Sequence, residues 1–326
     1  MSDVSVTLNG KPRMVEDGVS LLELLKELDV APSRVVIEHN REIRRKDDFA
    51  KTVVHAGDEL ELVYFVGGGS SANDAFIVGG RTLRSRLIHG TGKYASNEVL
   101  ARCLEAAQPD MITVAIRRLN LDGGRSELEG IDLRRYTLLP NTAGATTADA
   151  AIRLARMARA AGMSDFIKVE VIGDEDTLLP DPQGTLEATR QLVKEGFIVM
   201  AYTSDDVVQA IRLYEAGAAA VMPGAAPIGT TLGLQNLLNL DLIVKKVQVP
   251  VIVDAGLGVP SEAARCLELG AAAVLVNTAI ARAQDPPEMA RAFAEAVVAG
   301  RRAFLAGRAH IGMKAVASSP VEGIPV

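Results

Sequence analysis

Lys168 and Glu170, in Phe166-Ile-Lys-Val-Glu-Val-Ile-Gly-Asp174, are of types that do chemistry and stand two residues apart. In an extended strand alternate side chains share a face. Lys168 and Glu170 then lie beside Phe166, while Ile167, Val169 and Val171 form an apolar face for a packed helix. An ionisable pair in mid-strand is costly in a buried sheet. On an edge strand the two make a solvated surface ion pair and no function follows. In a central strand the amine is enclosed; desolvation then weakens its preference for the charged form and makes it a nucleophile toward carbonyl carbons.

Further candidates close other apolar runs. Asp254 ends Val-Pro-Val-Ile-Val-Asp, on the face of Ile252 and opposite Val251 and Val253, and Ala255-Gly256-Leu-Gly258 follows. Gly229 sits in Pro-Ile-Gly, and Asn277-Thr278 ends another run. Backbone N–H groups exposed at glycine-containing turns form a nest for phosphate without a basic side chain. Singly, Asp254 reads as a helix cap, the glycines as turn formers and Asn277 as a loop residue. Beside a central Lys168, the set favours a phosphosugar carbonyl held next to an amine.

The elements that must position them begin at Phe76. Strands are expected at Arg86–His89, Met111–Ala115, Thr137–Pro140, Phe166–Val171, Phe197–Ala201, Ala219–Met222, Val249–Asp254 and Ala272–Asn277, with helices between most of them. Thr147–Ala161 is one helix, Ser204-Asp-Asp206 caps another and Ser261 opens a third. Eight such units over roughly 235 residues suit a (β/α)8 TIM barrel, typically about 250 residues long. In that fold functional groups gather on the loops after the strands. A doubly wound open sheet is the alternative, but no glycine-rich dinucleotide fingerprint follows the first strand. Glu215-Ala-Gly-Ala-Ala-Ala-Val221 and Glu268-Leu-Gly-Ala-Ala-Ala-Val274 repeat one helix-end, glycine, strand unit.

A smaller domain precedes the barrel. Val4–Leu8 alternates, Asn9-Gly10 is a hairpin signal and a second short strand is expected over Arg13–Glu16. Ser20-Leu-Leu-Glu23 reads as a capping box opening a helix through Leu28. Val35–Ile37 is a third strand, a charged segment runs to Lys51, and Glu59–Val66 is a last strand before Gly67-Gly68.

The 326 residues are 48% hydrophobic and 23% charged, with 41 acidic against 35 basic side chains and a net charge of -6. That balance gives no nucleic-acid footprint. Cys103 and Cys266 are the two cysteines, which suggests a reducing compartment without a disulfide framework. Met1-Ser-Asp-Val opens no signal-peptide pattern, and no apolar run is long enough to span a membrane. A cytoplasmic location is expected. His39, His55, His89 and His310 are scattered, so neither a metal site nor an organic cofactor is suggested.

Residues 4–68 resemble the ubiquitin-like β-grasp sulfur carriers of thiamin biosynthesis, which end in Gly-Gly. A glycine tail enters narrow sites where a Cβ would clash; the same composition also makes a flexible linker. Here the chain continues Gly69-Ser-Ser-Ala-Asn-Asp74. A carboxylate locked in a peptide bond cannot be adenylated or converted to a thiocarboxylate. Either the chain is cut after Gly68 or this domain has lost its chemical role. A linker of about seven residues reaches roughly 25 Å, too short to bring an uncut tail to the far end of its own barrel, while the site of a neighbouring chain stays open to it. Processing after Gly68 is therefore expected.

From Phe76 to Arg308 the chain resembles thiazole synthase. The matching stretches are Thr113-Val-Ala-Ile-Arg-Arg118, Leu139-Pro-Asn-Thr-Ala-Gly144, Ile167-Lys-Val-Glu-Val-Ile-Gly-Asp174, Leu178-Leu-Pro-Asp-Pro182, Val251-Ile-Val-Asp-Ala-Gly256 and Val276-Asn-Thr-Ala-Ile-Ala281. Ala145 stands where a cysteine is expected, and the loop Pro223–Thr230 is a variant. The resemblance implies that Lys168 forms a Schiff base with 1-deoxy-D-xylulose 5-phosphate and that Glu170 and Asp254 are acid/base groups. It implies that Gly229, Ala255, Gly256, Asn277 and Thr278 bind substrate and phosphate. Dehydroglycine and a carrier thiocarboxylate ending Gly67-Gly68 would supply the rest of the ring. Implied partners are a carrier-adenylating enzyme, a dehydroglycine-producing enzyme and further copies of this chain, with no cofactor, nucleic acid or membrane.

The expected organisation is a carrier domain over 1–68, a linker over 69–75, a barrel over 76–308 and a mobile tail over 309–326. Two other functions stay open on the residues alone: a different Schiff-base phosphosugar lyase or isomerase, and a non-catalytic scaffold that docks partners.

Overall fold

A computed structural model describes residues 3–28, 30, 32, 35–44, 46–64, 74–116 and 128–309. Gly67, Gly68, residues 69–73 of the linker expected over 69–75, Arg117, Arg118 and the tail from His310 lie outside the described residues. The chain divides into two compact units, Met1–Gly68 and Gly69–Val326.

The first unit is a five-stranded sheet with one helix. Strands β1 (Asp3–Leu8) and β2 (Lys11–Glu16) pair antiparallel through Asn9-Gly10, whose φ values of 48° and 72° are those of a tight hairpin turn. Helix α1 (Leu21–Glu27) opens with the expected capping box: Glu23 N–H donates to Ser20 Oγ, and Ser20 N–H donates to Glu23 Oε2 at 3.1 Å. Strands β3 (Val35–His39), β4 (Glu42–Arg44) and β5 (Glu59–Tyr64) complete the order β2-β1-β5-β3-β4, with β1 and β5 parallel. Leu21, Leu24 and Leu25 pack on Val6, Val15, Ile37, Leu60 and Leu62. This is the expected β-grasp order with one addition. β4 lies in the segment read as charged loop, because three residues are too few to show alternation.

The second unit opens with a hairpin that the sequence does not announce, β6 (Phe76–Val78) and β7 (Arg81–Leu83). Then β8 (Leu87–His89), α2 (Asn97–Ala107), β9 (Met111–Ala115), β10 (Thr137–Asn141), α3 (Ala148–Ala160), β11 (Phe166–Val169), α4 (Pro182–Lys194) and β12 (Ile198–Thr203) follow. After them come α5 (Val207–Glu215), β13 (Ala220–Pro223), α6 (Leu237–Lys246), β14 (Ile252–Val253), α7 (Pro260–Glu268), β15 (Ala273–Val276), α8 (Thr278–Ala281) and α9 (Pro286–Ala306). The eight strands β8 to β15 form one parallel sheet ordered β13-β12-β11-β10-β9-β8-β15-β14. Bridges Val221–Val251 and Gly224–Asp254 join its two ends into a barrel. Each expected strand of the barrel overlaps an observed one.

Strand alternation sorts the core into layers. Phe166, Met200, Ala220, Met222, Ile252 and Leu275 pack inside the barrel, and the hairpin residues Phe76, Val78 and Leu83 join them beneath the strand starts. Ile167, Val169 and Val251 face outward onto α3 to α6, and Val253, Val274 and Val276 onto a cluster with α7 and α9. Strand β11 lies between β10 and β12, so it is central and its inward side chains are enclosed. Among the described residues no helix is long and apolar enough to cross a membrane.

Candidate active site

Above the Phe166 layer the interior turns polar. Lys168, Glu170 and Asp254 are 6%, 5% and 3% exposed, which rules out the edge-strand reading of a solvated pair. Lys168 Nζ forms an ion pair with Asp254 Oδ2 and lies 3.5 Å from Glu170 Oε2. The Tyr202 ring flanks the same ammonium with its centroid 5.1 Å away. Asp254 arrives from β14 on the face of Ile252, as alternation requires, and its Oδ1 accepts from Ala255 N–H at 2.6 Å.

The electrostatics run against the simplest expectation for a buried amine. Burial disfavours the Lys168 ammonium, but Asp254 and then Glu170 outweigh it and hold the amine above the ordinary lysine value. Glu170 is raised above the ordinary carboxylate value by burial, which Lys168 only partly offsets. The resting site therefore holds an ammonium between carboxylates. The expected gain in nucleophilicity from desolvation alone does not occur, because two anions share the enclosure.

Glu170 lies just past the end of β11, where ladder bonds run out. Thr142, fully buried at the end of β10, takes over: its Oγ1 donates to Glu170 C=O at 2.7 Å and accepts from Glu170 N–H at 2.9 Å, while Thr142 N–H donates to Lys168 C=O at 3.1 Å.

A cavity of about 480 Å³ opens above the triad, at the ends of the strands where the following loops start. All eight barrel residues singled out in the sequence line it: Lys168, Glu170, Asp254, Gly229, Ala255, Gly256, Asn277 and Thr278. Ala255 and Gly256 are consecutive left-handed residues, with φ 53° and 73°, and Gly229 has φ 80°. A Cβ on Gly256 would stand 2.6 Å from Ala226 N, so the β13 and β14 loops touch there through bare backbone. Asn277 packs so closely on Gly90 that a Cβ on that glycine would strike its side chain, and its buried Oδ1 has no hydrogen-bond partner among the described residues. Gly67 and Gly68 fall outside the described residues.

Thr142, Tyr202 and Lys93 also belong to this site, and none was singled out in the sequence. Thr142 sits inside the quoted Asn-Thr-Ala-Gly stretch, and Tyr202 follows by alternation from Met200. Lys93 stands in Gly-Thr-Gly-Lys directly after a strand, a glycine-rich turn with a cation. His89 is buried beneath the turn, its Nδ1 2.8 Å from Gly90 C=O, and burial pushes it down to about 4, so it is neutral near pH 7.

Comparison with known proteins agrees with this geometry. Residues 77–320 match the family described as thiazole biosynthesis protein ThiG, and residues 6–69 match the ThiS family. The chain belongs to the thiazole synthase family. It is 44% identical over 323 residues to a thiazole synthase of Paramagnetospirillum magneticum, covering 98% of this chain and 100% of the relative. Over 251 residues it is 53% identical to a thiazole synthase of Bacillus subtilis, covering 76% of this chain and 98% of the relative. Relatives of the first kind therefore carry both units in one chain, and those of the second kind match the barrel. Among solved structures, the Amycolatopsis orientalis BexX/CysO complex aligns with a TM-score of 0.65 at 33% identity, over 74% of this chain and 98% of that one. The barrel is a thiazole synthase of thiamine biosynthesis, a transferase, and a ThiS-type unit precedes it.

Proposed function

We propose that Lys168 is the nucleophile of this thiazole synthase and that its carbonyl substrate is 1-deoxy-D-xylulose 5-phosphate. The observation that carries the reading is the Lys168 ammonium held between Asp254 and Glu170 on the floor of the cavity.

Because the amine rests protonated, its proton must leave before attack. Glu170 is the best-matched acceptor, since burial has raised its proton affinity and its Oε2 is 3.5 Å away. The free amine pair then attacks the ketone carbon, and the carbonyl oxygen takes a proton from Glu170. Glu170 then carries one proton from the nitrogen to that hydroxyl, which leaves as water, and the protonated imine remains next to Asp254, whose carboxylate stabilises the cation as it stabilised the ammonium. From there Glu170 and Asp254 can move protons along the sugar. The loops of Gly229, Ala255-Gly256 and Asn277-Thr278 take the phosphate on backbone N–H groups.

Sulfur arrives on a carrier thiocarboxylate and dehydroglycine completes the ring. The carrier is the first unit of the chain, released by cleavage after Gly68 and charged by a separate adenylating enzyme. The intact mass of the protein from its producing cell tests this part. Two species separated at Gly68, the smaller heavier by a sulfur-for-oxygen exchange, are expected; full activity in an uncut Gly68→Ala chain would sink it.

A further inference from the structure

The cavity has a charge problem that its backbone nest does not solve. Its lining carboxylates are Glu170, Glu175 and Asp254, and its lining cations among the described residues are Lys93 and Lys168. Lys168 is committed to Asp254 and Glu170. A phosphate ester entering this space adds further negative charge.

Lys93 is placed to meet it. The residue follows β8, reaches the same cavity and makes no ion pair or hydrogen bond among the described residues. A Cβ built on Gly229 would lie 3.5 Å from Lys93 Nζ and 3.9 Å from Thr278 Oγ1, so ammonium and hydroxyl converge on one spot over that glycine. The Lys93 backbone is left-handed, φ 69°, although Gly92 beside it would adopt that conformation at no steric cost. Backbone strain of this kind gathers at ligand clamps.

We propose that Lys93 is a substrate-binding residue whose ammonium holds the phosphate group of the sugar over Gly229. This rests on the phosphosugar reading given above. It adds to that reading a side-chain cation from the first barrel loop, which lies next to the Asn277-Thr278 loop because β8 pairs with β15. Glu175 at the rim favours expulsion of a phosphate that lacks this cation.

The test compares the phosphorylated sugar with 1-deoxy-D-xylulose itself, by borohydride trapping on the full chain. In Lys93→Gln the half-saturating concentration of the phosphate ester should rise roughly tenfold or more, that of the free sugar should stay unchanged, and Lys93→Arg should recover most of the loss. An unchanged ratio between the two sugars in Lys93→Gln overturns the proposal. Absence of trapping in the wild-type chain would instead remove the Schiff base alone. Calorimetry with inorganic phosphate then decides on Lys93: weaker binding in Lys93→Gln than in the wild type upholds it, and equal or absent binding in both overturns it.

Discussion

The Thr142 hydroxyl does for Glu170 what a neighbouring strand would do. It donates to the Glu170 carbonyl at 2.7 Å and accepts from the Glu170 N–H at 2.9 Å, one residue past the end of β11. Through those two bonds the end of β10 fixes the carboxylate proposed to take the Lys168 proton.

Thr142→Val keeps the branched shape but strips both bonds, leaving a buried N–H and C=O unpaired at a cost of about 1–3 kcal/mol each. We expect kcat to fall by more than KM changes, since Glu170 acts on bound substrate. Thr142→Ser should restore both. Steady-state kinetics on the three proteins check this, and a Val variant altered in KM alone would place Thr142 outside the chemistry.

Trapping should depend on the state of Glu170. Below its raised value Glu170 is protonated and cannot accept the Lys168 proton, so the trapping rate should climb with pH through a midpoint above 4.5. Glu170→Gln should slow trapping and erase that inflection. Rates with cyanoborohydride across the acid range, using the unphosphorylated sugar so that no phosphate titrates, read it directly.

Lys168 also matters for stability. Its folded value lies above 10.5, so its contribution is fully present below that pH and is lost as pH rises through the folded value. Lys168→Met leaves Glu170 and Asp254 buried without their cation, a loss of about 3–5 kcal/mol near neutrality. The deficit should shrink on acidification, because protonating a carboxylate relieves it. Urea midpoints of both proteins against pH give the comparison.

Gly256→Ala adds two penalties. A left-handed φ of 73° disfavours any side chain, and the new Cβ would stand 2.5 Å from the Ala226 Cβ. Gly80→Ala, at φ 78° with nothing among the described residues within 4 Å of the new Cβ beyond its chain neighbours, carries the first penalty without the second. The Gly80 variant should lose about 1 kcal/mol and the Gly256 variant clearly more, with loss of phosphosugar binding only in the latter. Thermal unfolding and binding of the phosphosugar separate them.

Asp74 anchors the start of the barrel chain to its end. Its Oδ1 lies 2.5 Å from Arg301 Nη2 on α9 and 2.8 Å from Arg86 Nη2 before β8. Burial raises its proton affinity, but the two guanidiniums more than offset that and hold Asp74 below 3.8. The stabilisation is present above that pH and is lost as pH falls through the folded value. Asp74→Asn should cost on the order of 3 kcal/mol near neutrality and flatten the acid limb of the stability curve, as denaturant titrations would show.

The barrel was legible because eight short apolar runs alternate with helical patterns, and alternation along the seventh run puts Asp254 on the face of Ile252. β4 and the β6–β7 hairpin were not, since Glu42-Ile-Arg44 holds a single apolar residue and Phe76-Ile-Val78 is followed by no helical pattern. The cluster of Lys168, Glu170 and Asp254 was foreseen as residues at strand ends. The direction of the Lys168 shift was not, because it depends on how close Asp254 comes from another strand, which no spacing along the chain encodes. Thr142 was hidden for the same reason: a threonine beside asparagine reads as a turn until its hydroxyl is seen spanning to the next strand.

The most direct test of the Schiff-base chemistry is borohydride reduction of the chain with 1-deoxy-D-xylulose 5-phosphate, followed by intact mass and peptide mapping. We predict one covalent sugar phosphate on Lys168, absent without substrate and absent in Lys168→Gln. No adduct, or an adduct on Lys93 or another lysine that persists in Lys168→Gln, would contradict it.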